Sequence, residues 1–466
     1  MVVGEIDVGT DVLIIGSGPA GYTAAIRCGQ LGLDTTLVGT QLGGVCLHLG
    51  CIPVKALMHS LDLTLEARGS AVFGVDEQAT LDLKRAQEWK DKVIARLEGG
   101  IAGMLKASGV QVMAGIGSFT SSETATVKTP QGTQHINFRR AVIGTGSHFR
   151  LPDNVRLDGE RVTNPYGITR LGQAPVKAVV VGGGLGGATT ASLLAKMGAE
   201  VTVAYRGKAL LAEVDDDVLR PALQWLQDNR VTLVPEATWQ VSPDGRDVKV
   251  SAGGQDRDLK PDLVVFATPQ EANTAGLGLE HTKVRLDGRG FVVADEGYRT
   301  TDPAIYAIGD VRGGARNASV AYREGLALAA ILAGRTGMPD YVAVPYTIYT
   351  EPPIASAGVT ERQAKKQGLE VIVGRATYAA DGAAVLSGNV VGMAKVIADR
   401  ASHRILGVQV VGRNATDIIG EGILAIEMGA RVEDVALTLH PHPELCEVLY
   451  QACAHAAGFA SGVTSR

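Results

Sequence analysis

A strand, a glycine loop and a helix occur twice in this chain in the same order, and that repetition constrains the fold more than any other feature. Residues 11–15 (DVLII) are a short apolar, β-branched run; GSGPAG follows at 16–21, YTAAIRCGQLG continues at helical spacing, and TTLV at 35–38 returns as a second strand. The grammar recurs as AVVV at 178–181, GGGLGG at 182–187, ATTASLLAKMG, and EVTVAY at 200–205. In Gly16-x-Gly18-x-x-Gly21 the first glycine permits the tight turn, the second lets backbone approach a pyrophosphate, and the third lets helix and strand pack closely. Gly182-x-Gly184-x-x-Gly187 repeats the device, and in both the phosphates would meet the unsatisfied N–H groups of a helix N-terminus. A glycine turn in an ordinary α/β unit is the plainer alternative. The expected class is α/β, with two Rossmann-like dinucleotide-binding domains followed by a C-terminal α+β domain.

The rest of the chain sets the expected boundaries. Long stretches at helical spacing fill 54–108, strand-like pieces run to AVIGTGS at 141–147, and the character changes again after about 275. We expect domains at 1–149, 150–274, 275–344 and 345–466. A balance of 44 Lys+Arg against 49 Asp+Glu gives no basic face for nucleic acid. No uninterrupted apolar run reaches the ~18 residues of a membrane span. Glu5, Asp7 and Asp11 stand where a secretory signal carries Lys or Arg, so a cytoplasmic protein is expected.

Five cysteines in 466 residues do not make a disulfide framework. Two of them, Cys46 and Cys51, lie in GGVCLHLGCIPVKAL at 43–57. On a regular helix five positions span about 7.5 Å, whereas a disulfide needs Cα atoms roughly 4.4–6.8 Å apart. Pairing them therefore requires a distorted helix start, with Gly50 and Pro53 to hand. Such a bridge is easily reduced, and a helix N-terminus would stabilise its thiolate. Two free buried thiols are the alternative reading; a metal site is not expected, for want of a second Cys/His cluster nearby. Cys28, Cys446 and Cys453 are expected to be small buried residues. His440 and His442, two apart between prolines, suit a surface turn or a metal pair as well as an acid/base.

These segments together resemble the flavin-dependent pyridine nucleotide–disulfide oxidoreductases, over nearly the whole chain, and most of all their dihydrolipoamide dehydrogenase branch. GGVCLHLGCIPVKAL, beginning at Gly43 and Gly44, resembles the redox stretch, and AVIGTGS, with Thr145 and Gly146, a segment near the flavin. TTDPAIYAIGDV at 300–311 resembles the second flavin motif, whose acid is Asp310. The stretches 344–368 and 403–430 resemble the dimerisation domain, and LHPHPELCE at 439–447 its terminal His-Pro…Glu motif. The resemblance implies FAD in the first domain, NAD in the second, and a homodimer. It implies that Cys51 lies against the flavin, that Cys46 exchanges with substrate, and that Lys55 sits near flavin N5. His442, oriented by Glu447, would be the acid/base acting on the partner subunit's disulfide. The implied reaction is oxidation of dihydrolipoamide or a lipoyl-carrying protein.

Four positions depart from the family pattern. Thr189 stands where a glutamate pairs with the lysine matching Lys55, Ser319 where a histidine is usual, and Gly39 and Tyr205 where acids hold the two riboses. Arg206 and Lys208 follow Tyr205, which keeps NADP open beside NAD. The expectation is an intact dithiol half-reaction with altered nicotinamide chemistry. Reduction of another disulfide by NADPH, or a flavin-binding docking subunit, are the alternatives; mercuric reduction is disfavoured because the C-terminal tail lacks a cysteine pair.

Overall fold

The computed structural model describes residues 8–76, 78–338 and 340–459. The N-terminal acids Glu5 and Asp7 and the tail from residue 460 lie outside them. The chain forms two compact units, one made of 1–152, 166–173 and 268–340, the other of 153–165, 174–267 and 341–466.

In the first unit, β1 (Val8–Ile15), α1 (Pro19–Gln30) and β2 (Thr35–Gly39) realise the first repeat. A short helix α2 (Gly44–His48) and two long ones, α3 (Cys51–Arg68) and α4 (Leu83–Ala107), follow before β3 (Gln111–Ala114), β4 (Ile116–Phe119), β5 (Thr124–Thr129) and β6 (Gly132–Ile143). The strands line up β3-β2-β1-β6-β5-β4, and Ile305–Ala307 pairs in parallel with β6. Part of the segment expected as a separate central domain, 275–344, therefore completes the first sheet. Fully buried Leu13, Ile14, Leu37, Val142 and Ile143 form its near-continuous apolar centre, as a sheet covered on both faces requires. The helix Ala318–Leu332 packs tightly on α1: a Cβ at Gly325 would fall 2.8 Å from the Ala20 carbonyl oxygen.

One helical stretch among the described residues, Gly44–Arg68, is long and apolar enough on average to cross a membrane. It is broken between α2 and α3, where Gly50 takes φ −112° and ψ −104°. Pro53, Val54, Leu57, Met58 and Leu61 bury one face of α3 within the protein, and α3 carries Lys55, Asp62 and Glu66.

In the second unit, β7 (Ser147–Phe149) belongs to the preceding body, and the second repeat begins after β8 (Val162–Thr163) with β9 (Lys177–Val181), α5 (Leu185–Lys196), β10 (Glu200–Ala204), α6 (Asp216–Asp228) and β11 (Val231–Val234). Its parallel sheet runs β11-β10-β9, then Leu263–Phe266, then β8. A five-stranded antiparallel sheet spans Tyr346–Val411, with Ala415–Glu427 and Glu447–Ala456 among the helices that follow it.

A buried ion cluster ties these parts of the second unit together. Lys395, 1% exposed, places Nζ 3.0 Å from Asp215, 2.9 Å from Asp217 and 2.6 Å from Glu361, while Arg375 bridges Asp217 and Glu361. Burial pushes both aspartates up, but the bond to Lys395, joined by the Arg362 and Glu361 N–H groups at Asp215 and by Arg375 at Asp217, outweighs it and holds them below the usual carboxylate range. Their stabilisation is present above the unfolded value of about 3.9 and is lost as pH falls through their lowered native values. Lys395→Met leaves Asp215 buried without its cation, and we expect a loss of about 3–5 kcal/mol. In that variant Asp215 keeps the Glu361 and Arg362 N–H donors and Asp217 keeps Arg375, while burial still pushes both carboxyls up. Each native value therefore rises towards the unfolded one, and less stability is lost below about pH 4 than in the parent. Thermal melts at neutral pH and below about pH 4 check the sign, and a variant that loses as much in acid as the parent does contradicts it.

Candidate active site

The first glycine loop has the geometry of a phosphate cradle. Gly16 sits at φ +118°, and a Cβ at Gly21 would lie 1.7 Å from the Gly16 carbonyl oxygen, so neither position admits a side chain. Gly18 precedes Pro19 at the start of α1 with no side-chain cap, which leaves the N-terminal N–H groups for an anion. Gly182, Gly184 and Gly187 repeat the arrangement before α5, where a Cβ at Gly187 would meet the Gly182 oxygen at 1.9 Å. Past that loop, the buried hydroxyls of Thr189, Thr190 and Ser192 have no hydrogen-bond partner among the described residues. These cradles fit two dinucleotides.

Asp310 opens a short turn after Ile305–Ala307 and accepts a bond from Ser147 at 3.1 Å; burial pushes its carboxyl up. The Thr145–Gly146 loop is clamped by Asn273: the Thr145 hydroxyl donates to its carbonyl at 2.7 Å, its side-chain amide donates to the Thr145 carbonyl at 2.8 Å, and its N–H donates to the Gly146 carbonyl at 2.9 Å. Glu324 accepts from the Gly309 N–H at 2.6 Å and from Arg312 at 2.8 Å, fixing the turn that carries Asp310. Sequence reasoning missed Asn273 and Glu324, because neither belongs to a local motif.

The redox pair sits across the helix break. Gly43 takes φ +86° and Gly44 φ +57°, and a Cβ at Gly44 would fall 2.8 Å from the Gly18 Cα, so the start of α2 abuts the start of α1. Cys46 lies in α2 and Cys51 is the first residue of the 18-residue α3. Leu49 and Gly50 interrupt the helix between them, Gly50 donating to the Val45 carbonyl at 2.7 Å. Both are free cysteines, and each sulfur lies near enough to act on the other as a hydrogen-bonding partner. That bond first of all holds Cys51 below the ordinary thiol range; burial opposes it, while the Cys51 N–H at the helix start and the charge of Lys55 assist. The same bond, with burial, pushes Cys46 up. The asymmetry favours negative charge on Cys51 over Cys46. Lys55 lies one turn beyond Cys51 on the same face of α3.

The two histidines have separate settings. His440, its side chain 6% exposed, is locked between Glu421 at 2.9 Å and the Thr438 carbonyl at 2.9 Å, and its ring lies on Tyr450. His442 is 78% exposed and bonds through Nδ1 to buried Glu447 at 3.0 Å. A carboxylate only accepts, so Nδ1 carries the proton and Nε2 is left as an acceptor on an exposed ring. No metal-binding cluster of His, Cys, Asp and Glu occurs among the described residues. Cys28 and Cys453 are fully buried, as expected, and burial pushes each thiol up to about 12; Cys446 is only half-buried, at the start of the last helix.

The departures fall at the nucleotide loops. Gly39 leaves room for Ser17, whose hydroxyl a Cβ there would meet at 2.2 Å. Tyr205 is 5% exposed and lies against Gly183, so its ring packs beneath the second glycine loop. Arg206 lies over the Trp239 ring at 5.2 Å. Ser319 is exposed in the first turn of its helix.

Residues 10–325 match the family model described as pyridine nucleotide-disulphide oxidoreductase, and 344–453 match that family's dimerisation domain. The chain belongs to this family. It is therefore an FAD-dependent, NAD-linked disulfide oxidoreductase. It is 37% identical over 464 residues to a dihydrolipoyl dehydrogenase of Staphylococcus aureus, covering 98% of this chain and 99% of that one. A dihydrolipoyl dehydrogenase of Bacillus subtilis (strain 168) is also 37% identical, over 98% of each chain. Among solved structures, LpdA from Mycobacterium tuberculosis superposes with a TM-score of 0.88 at 25% identity, over 95% of this chain and 99% of that one. The HOCl-induced flavoprotein disulfide reductase RclA of Escherichia coli, in its Cu(II) complex, gives 0.85 at 25% identity, over 96% and 99%.

Proposed function

We propose that this protein oxidises the dihydrolipoyl group of a carrier protein, passing the electron pair through Cys46 and Cys51 to FAD and then NAD. The observation that supports the reading is the broken helix, which leaves Cys51 at the start of α3 and Cys46 near enough for each sulfur to act on the other. In the oxidised pair, a substrate thiolate attacks the Cys46 sulfur, the Cys46–Cys51 bond breaks, and Cys51 leaves as the thiolate that the α3 N-terminus and Lys55 favour. The second substrate sulfur then displaces Cys46 and closes the substrate's own disulfide. His442 takes the protons through Nε2, with Glu447 holding the tautomer. FAD, when bound, accepts the electron pair and returns it as hydride to the nicotinamide. Leu424, Met428, Leu437 and Leu439 leave an exposed apolar surface in the second unit, which a second copy covers in a homodimer, and His442 serves the redox pair of the other subunit.

Steady-state turnover with dihydrolipoamide and NAD tests the reading. Failure with both NAD and NADP in a protein that retains FAD would favour a docking subunit over an enzyme. Arg206, stacked on Trp239 where an acid for a ribose hydroxyl is missing, supports a second reading in which NADP is the nucleotide. In that case kcat/KM for NADP exceeds that for NAD, and Arg206→Gln reverses the order, losing about tenfold with NADP.

A further inference from the structure

Two tyrosines stand together beside the redox pair. Tyr22, in α1, donates its hydroxyl to that of Tyr322 at 2.8 Å, and their rings meet edge to face with centroids 6.0 Å apart. Tyr322 lies on the helix Ala318–Leu332 and is 38% exposed. Tyr22 packs on the apolar cluster that also holds Leu47 and Ile52, the residues next in the chain after Cys46 and Cys51.

The surroundings of the two sulfurs divide. Both phenols feel the charges of Cys46 and Cys51, Cys46 first. Tyr166 instead feels Asp310 and Cys51; its ring lies 3.8 Å from a Cβ placed on Gly50, and its hydroxyl accepts a bond from Gln270 at 2.9 Å. Tyr166 thus sits with the flavin acid and Cys51, whereas the tyrosine pair sits near both sulfurs and packs with Leu47, the residue after Cys46. Burial pushes both members of the pair above the ordinary phenol range, so they stay neutral wherever the enzyme works. Their mutual bond uses one of two hydroxyl protons, so the surface beside Cys46 offers ring edges, ring faces and one hydroxyl. It carries no charge. Aromatic faces, negative in their quadrupole, disfavour a carboxylate and accept an aliphatic chain.

We propose that Tyr22 and Tyr322 form an uncharged aromatic wall on the substrate side of Cys46, which selects dithiols on a neutral aliphatic arm over thiols that carry carboxylates. This specificity role rests on the dithiol oxidation proposed above, and its test has a readout that needs no turnover. The FAD-loaded enzyme is reduced, freed of reductant, and alkylated with neutral iodoacetamide or anionic iodoacetate, with the Cys46 peptide quantified. Tyr322→Glu should slow iodoacetate roughly fivefold relative to iodoacetamide, and Tyr322→Arg should shift the ratio the other way by a similar factor. Tyr322→Phe, which keeps the ring and neutrality, should leave the ratio within about twofold. The KM of dihydrolipoate relative to dihydrolipoamide should follow the same order. If the alkylation ratio moves with charge at position 322 while dihydrolipoamide is not a substrate, the wall stands and the lipoyl assignment falls. An alkylation ratio indifferent to both Tyr322→Glu and Tyr322→Arg overturns the wall, whatever the turnover.

Discussion

Cys46→Ser in the FAD-loaded dimer abolishes oxidation of dihydrolipoamide, by at least roughly 10³-fold, while the flavin remains bound. Serine keeps the size and helical setting of residue 46 but offers no sulfur for the substrate thiolate to attack, so no mixed disulfide forms. None of the cradle residues Gly16, Gly18 and Gly21 changes, and the Asp310 turn is held by Glu324 and Ser147 rather than by Cys46. The flavin spectrum should therefore survive the substitution. Cys51 loses the S–H donor that first of all lowers it, although a serine hydroxyl can donate in its place. The measurement is anaerobic reduction by dihydrolipoamide followed at the flavin band. A Cys46→Ser protein that still bleaches would remove residue 46 from the electron path.

The second large effect is expected at His442. His442→Gln should lower turnover about 10²–10⁴-fold, the usual contribution of a positioned acid/base. It should also flatten the limb of the kcat/KM pH profile that the parent owes to this acid/base. Glu447→Gln keeps a partner for Nδ1 but withdraws the negative charge that fixes the tautomer and stabilises the imidazolium, so a smaller loss is expected. His440→Gln separates chemistry from folding, because His440 is enclosed by Glu421, the Thr438 carbonyl and Tyr450. Its loss should lower melting temperature more than it changes the pH profile. A pH profile unmoved in His442→Gln would assign the proton to another group.

Much of the candidate site was legible because its signals are local. The two glycine loops, the Cys-x4-Cys stretch and the His-Pro…Glu run each place their parts within a few positions of one another. Strands expected at 11–15, 35–38, 178–181 and 200–205 form at Val8–Ile15, Thr35–Gly39, Lys177–Val181 and Glu200–Ala204, since short β-branched runs flanked by glycine have few other options. The spacing argument on Cys46 and Cys51 also anticipated a distorted helix start, and the break at Leu49–Gly50 supplies it. Other partners were not legible. Asn273 clamps a loop 128 positions away, and Tyr322 meets a phenol 300 positions away. Nothing near either residue in the chain announces the contact.

The glycines and cysteines settled which backbone conformations and which chemistry were available, because steric exclusion at Gly16 and Gly21 and the reactivity of sulfur are properties of a residue and its immediate neighbours. Tertiary structure decided which sulfur is the better placed for negative charge, which of two histidines is exposed and which enclosed, and how the acid at 310 is held in place. Those outcomes depend on burial, on a helix end, and on carboxylates delivered from distant segments. Electrostatic energies are set by distance in space, and the order of residues along a chain does not encode that distance until the chain has packed.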